Sequence, residues 1–108
     1  MVALGRLAEA RSSLTEARTA NAIDAEAWLL SATLSRRANA LDTAQGEIER
    51  AAALAPGDPA IGLEAGVIAA LAGRDAAARR SFESVITLAP QSAEAAAARG
   101  YLTQLGKP

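Results

Sequence analysis

The chain has 108 residues, a formal net charge of −1, no cysteine and no histidine, and 30 of the residues in its hydrophobic set are alanine. Only 25 larger apolar side chains remain, with a single Trp, Tyr and Phe among them, so the composition suits one thin, close-packed helical domain. It excludes disulfides, thiolate and imidazole chemistry and the usual zinc sites. The balance of 11 basic and 12 acidic residues also argues against a dedicated nucleic-acid binder.

Punctuation along the chain predicts helices at 5–19, 25–38, 41–54, 59–72, 75–88 and 93–105. The opening MVALGRLAEARSS has no apolar stretch long enough for a secretory signal, because Gly5, Arg6 and Glu9 interrupt it. Asp24 stands where a cap is expected before the second helix, with Asn39 at the turn that follows. The next stop is Leu54-Ala55-Pro56-Gly57. Asp58-Pro59 is the sharpest start, since the carboxylate accepts exposed amide protons and proline costs no internal bond at the first helical position. The longest wholly apolar run, Val67 to Ala72, falls far short of the roughly 20 residues of a membrane span. No membrane insertion is expected, and a cytoplasmic location is the default. Gly73 marks the turn before 75–88, and Ser92 the cap before 93–105. Thirty alanines and the lack of alternating β-branched residues make the chain all-α.

Comparing the chain with itself at an offset of 34 aligns these features. Ala10, Ala44 and Ala78 fall in register, as do Leu14, Ile48 and Phe82, then Ala17, Ala51 and Val85. Asp24, Asp58 and Ser92 align as cap types, Pro56 aligns with Pro90, and Gly5, Asn39 and Gly73 align at turns. Ile48, Leu54, Phe82, Ile86 and Leu88 are expected to supply most of the larger burial, with Ala44, Ala51 and Ala78 allowing close helix approach.

The pattern resembles the tetratricopeptide repeat family, whose unit of about 34 residues is an antiparallel helix pair. In 25–58 the family positions hold Trp28, Ala32, Ala44, Ile48, Ala51 and Pro56; in 59–92 they hold Gly62, Gly66, Ala78, Phe82, Val85 and Pro90. The resemblance implies an αα-hairpin repeat solenoid of about six helices in one domain. It divides into a half repeat 1–24, repeats 25–58 and 59–92, and a half repeat 93–108. Gly62 opposite Trp28, with Ser35 and Ala69 where an aromatic is common, suggests a shallower or looser seam between paired helices. A short four- to six-helix bundle or another αα-repeat is the alternative fold.

A catalytic inventory is almost bare. Asp75 and Glu83 read as solvated or capping acids, Arg36-Arg37 and Arg79-Arg80 as solvated faces, and Gly57, Gly62 and Gly66 lack the spacing of a phosphate loop. A non-catalytic chain without cofactor or metal is expected. The resemblance implies instead a protein-binding scaffold whose first helices face a concave groove. The matching positions include Glu26, Leu29, Leu30, Thr33, Arg36 and Arg37, then Leu63, Glu64, Val67 and Leu71, then Glu94, Ala97, Tyr101 and Gln104.

Leu29, Thr33, Arg36, Arg37, Leu63, Val67 and Tyr101 are the candidate contacts. An apolar floor with a basic edge suits an amphipathic helix or extended peptide carrying acidic residues. The family's carboxylate clamp needs Lys, Asn and Arg, where this chain has Leu29, Thr33, Val67, Glu94 and Ala98. Each contact has a plainer reading: Leu29, Leu63 and Val67 as helix packing, Arg36 as a solvated cation, Tyr101 as filler of the last half repeat. The alternative function is a structural or self-associating segment, including a homodimer, since the terminal half units lack a polar capping helix. Alanine, arginine and glycine usage hints at a GC-rich bacterial genome.

Overall fold

The computed structural model describes residues 14–106, with side-chain surroundings described for 22–106. Regular structure among them is entirely helical: α1 Leu14–Arg37, α2 Leu41–Leu54, α3 Pro59–Leu71, α4 Asp75–Leu88 and α5 Ala93–Leu105. The last four agree with the sequence expectation to within a residue. The first does not. Helices expected at 5–19 and 25–38 form one continuous helix from Leu14, and residues 5–13 lie outside the described residues. No glycine or proline interrupts 14–37, and Asp24 sits inside α1, 3% exposed, rather than capping a helix. A cap residue without a breaker beside it does not stop an alanine-rich helix.

The turns repeat with the 34-residue period. After α1, Asn39 takes φ 61°, its amide donates to Arg36 O at 2.9 Å, and the Ala40 amide donates to Ser35 O at 2.8 Å. After α3, Gly73 takes φ 78°, with Gly73 N to Ala70 O at 3.1 Å and Arg74 N to Ala69 O at 2.8 Å. Both are left-handed helix terminations of the Schellman kind. Asp58 caps α3 through the Ala60 amide at 2.9 Å, with Pro59 following it, and Ser92 caps α5 through the Ala95 amide at 3.0 Å.

Successive helices pack as hairpins, α1 on α2, α3 on α4, with α2 also meeting α3 and α4 meeting α5. Beyond these neighbours α1 touches α3 and α3 touches α5, whereas α2 and α4 do not meet. The odd-numbered helices therefore form one layer and the even-numbered helices stand apart outside it. This is an all-helical, repeat-like arrangement of helix pairs.

α3 is the shared element. One cluster joins Ala25, Ala32, Ala44, Ile48 and Ala51 to Ile61 and Ile68 of α3; the other joins Ala69 of α3 to Ala78, Phe82, Val85, Ala95 and Ala98. Covered on two sides, α3 is apolar nearly all round, with Glu64 as its one charged residue. Ile48 and Phe82 are buried as expected and Leu54 and Ile86 partly so, but Leu88 is 61% exposed, while Ile61 and Ile68, not singled out beforehand, are buried.

The looser seam expected from Gly62, Ser35 and Ala69 is not found at Gly62, nor at Gly66 one turn on, and Ala69 is buried. A Cβ on Gly62 would lie 2.7 Å from Val85 Cγ2, and one on Gly66 would lie 2.4 Å from Phe82 Cε1. These glycines are occupied space, filled from α4. In the first hairpin, Ser31 and Ser35 both donate to the Glu47 carboxylate of α2, so the small residue at 35 carries a polar link instead of leaving a gap. Arg50 lies over the Trp28 ring, 5.1 Å from its centroid. No helix among the described residues is long and apolar enough to cross a membrane.

Candidate interaction face

Helical periodicity places Leu29, Thr33 and Arg36 at i, i+4 and i+7 on α1, and Ala60, Leu63, Glu64 and Val67 at i, i+3, i+4 and i+7 on α3. Glu94 and Tyr101 lie two turns apart on one face of α5. These nine residues line one depression of about 310 Å³ on the layer of odd-numbered helices. Six of the seven candidate contacts are brought together there. Arg37 is not: it is exposed and rotated about 100° from Arg36 on the helix.

The wider set divides by the same geometry. Leu30 stands beside Leu29 as Arg37 stands beside Arg36, and with Ile23 and Leu34 it forms an exposed stripe on another face of α1. Glu26, Leu71, Ala97 and Gln104 are outside the lining. Ala60 lines the depression without having been singled out, although its spacing from Leu63 and Val67 is a legible signal.

The electrostatics differ from the basic edge expected. Arg36 forms a two-pronged pair with Glu64: its Nε donates to Oε2, and its Nη2 donates to Oε1 at 3.3 Å. The Thr33 hydroxyl lies 3.1 Å from the same Oε1 and 3.0 Å from Leu29 O, so its single proton serves one or the other. The two side chains are 23% and 11% exposed. The hydrogen bond to Glu64 raises the Arg36 pKa above its ordinary value, against the opposing effect of burial, with the Glu64 charge and Tyr101 adding to the rise. The lining thus holds one cation and two carboxylates, and the cation is already engaged. Sequence spacing within a helix gave no sign of this pair, whose members lie 28 residues apart.

Tyr101 is held by Phe82, with ring centroids 5.1 Å apart and planes 14° from parallel. Its ring therefore connects the α4 core to the depression. A second depression, of about 390 Å³, lies between the α2–α3 turn and the flanks of α3 and α4, where Ala55, Pro56, Ile61, Ala65, Val85 and Leu88 make it mostly apolar. None of the candidate contacts lines it. No protein-family model matches this chain, and no curated protein sequence matches it.

Proposed function

We propose that the chain is a non-catalytic protein-interaction scaffold of tetratricopeptide-like repeats that holds a peptide or helix on the α1–α3–α5 face. The observation that carries this reading is the depression, to which all three odd-numbered helices contribute apolar and charged side chains. The repeated terminations at Asn39 and Gly73 and the caps at Asp58 and Ser92 support the tetratricopeptide-like register. A partner with an aliphatic anchor matches Leu29, Leu63 and Val67.

The test is affinity capture from the source lysate with wild type and Val67→Asp, followed by binding of the purified partner to both. Circular dichroism establishes that the variant keeps its helicity. Loss of the partner by a folded variant supports the face; equal binding refutes it and directs attention to the larger depression beside the α2–α3 turn.

One observation favours a second reading, self-association through the first helix: Leu30 and Leu34 are 60% and 55% exposed one turn apart, with Ile23 on the same stripe. Light scattering of the same preparations across concentration separates the two, since a mass that stays at the monomer value at every concentration removes the dimer.

A further inference from the structure

The charge left over in the α1–α3–α5 depression is negative. Arg36 and Glu64 neutralise each other, and no hydrogen bond or ion pair among the described residues engages the Glu94 carboxylate. Glu94 shares its face of α5 with Tyr101, whose ring is backed by Phe82 and is 39% exposed. An unengaged carboxylate and a partly exposed aromatic ring lining one depression are chemistry for a cation: the acid supplies a charge-assisted acceptor, and the ring, stacked on Phe82 by one face, supplies π-electron density from the other. Leu63 and Val67, in the same lining, supply apolar surface.

Resting on the scaffold reading, we propose that the site takes a polypeptide segment that presents a lysine or arginine to Glu94 and Tyr101 and an aliphatic neighbour to Leu63 and Val67. An acidic segment meets the opposite conditions. The cation that would receive it is Arg36, whose charge Glu64 already matches through Nε and Nη2, so an added acid would share one guanidinium between two carboxylates. It would also bring a like charge toward Glu94.

The experiment is selection from a displayed library of random peptides against the full chain, followed by titration of the selected peptides and of their Lys-or-Arg-to-Glu counterparts. The expected peptides carry a cation beside an aliphatic residue, bind more weakly as salt rises, and lose about tenfold in affinity to Glu94→Gln. The Glu counterparts should not bind. Selected peptides that depend on Val67 but lack a cation, or are indifferent to Glu94→Gln, overturn the cationic preference while leaving the scaffold reading intact. Peptides that bind Val67→Gln as well as wild type overturn both; the change is uncharged because a new carboxylate there would itself attract the cation. If Val67→Gln loses helicity, Ala60→Trp, which adds bulk at another position of the same lining, serves the same comparison.

Discussion

Replacing Gly66 by alanine should destabilise the protein even though alanine is the better helix former. The added Cβ would lie 2.4, 2.6 and 2.7 Å from three atoms of the Phe82 ring. Carbon atoms prefer about 3.5–4.0 Å, so the ring must retreat by about 1 Å or more. It has little room, being fully buried and stacked on Tyr101. Such overpacking typically costs about 1–3 kcal/mol, set against a gain of about 1 kcal/mol for Gly→Ala in a helix.

Gly46 in α2 and Gly100 in α5 are the controls, because a Cβ at either meets nothing within 4 Å. Gly46→Ala and Gly100→Ala should each stabilise by about 0.5–1 kcal/mol, and Gly66→Ala should fall about 1–3 kcal/mol below them. At roughly 4–8 °C per kcal/mol for a domain of this size, thermal melts followed by circular dichroism resolve the difference. Gly66→Ala combined with Phe82→Leu should recover part of the loss. A Gly66→Ala melt that rises in parallel with the two controls would refute the claim that Phe82 fills this space.

The two caps should be separable from the rest of the turn chemistry: Asp58→Ala and Ser92→Ala remove the acceptors for the Ala60 and Ala95 amides and should each cost about 0.5–2 kcal/mol in urea unfolding. Asp24→Ala, at the third register position, lies inside α1, so its effect should not include loss of a cap. A double-mutant cycle on Arg36 and Glu64 should give a coupling of no more than about 1 kcal/mol, because Arg36 is partly exposed, and the coupling should shrink with added salt. The raised Arg36 pKa places its stabilising effect fully below the ordinary arginine range, to be lost only as pH rises through the still higher folded value. The coupling should therefore be flat between pH 6 and 9, roughly the neutral span, since no arginine titrates there.

What the sequence made legible was whatever is encoded locally. Asp58-Pro59, Ser92, Gly73 and Asn39 each act on backbone within a turn of themselves, and each does in the structure what its residue type suggests. Asp24 shows the limit of that logic: the residue type was right for a cap, but Pro56-Gly57 has no counterpart before it, and the helix runs through. Leu88 marks a different limit. Its side chain has the apolarity of a core residue, yet burial depends on a neighbour being present, and α5 meets Phe82 through Tyr101 instead. The site residues were legible by face, because Leu29, Thr33 and Arg36 share a stripe by periodicity alone. Their charge state was not, because Glu64 reaches Arg36 across the α1–α3 contact.

The departures from the 34-residue pattern are themselves paired. Position for position, the first repeat sets Trp28 and Ala32 on its first helix with Ile48 and Ala51 on its second, while the second repeat sets Gly62 and Gly66 with Phe82 and Val85. Where the first helix loses a side chain, the second gains one, and the Val85 and Phe82 atoms lie where a Cβ of Gly62 or Gly66 would be. Close packing constrains the sum of facing volumes rather than either residue, so one backbone repeat accommodates both solutions. The exchange also has a consequence for the interaction face. Because Phe82 fills the seam and extends to α5, its ring backs Tyr101, whose own ring enters the depression lined by Glu94. At the register positions of Tyr101 the other two helices of the layer carry Val67 and Thr33, which sets the proposed cation site at the α5 end.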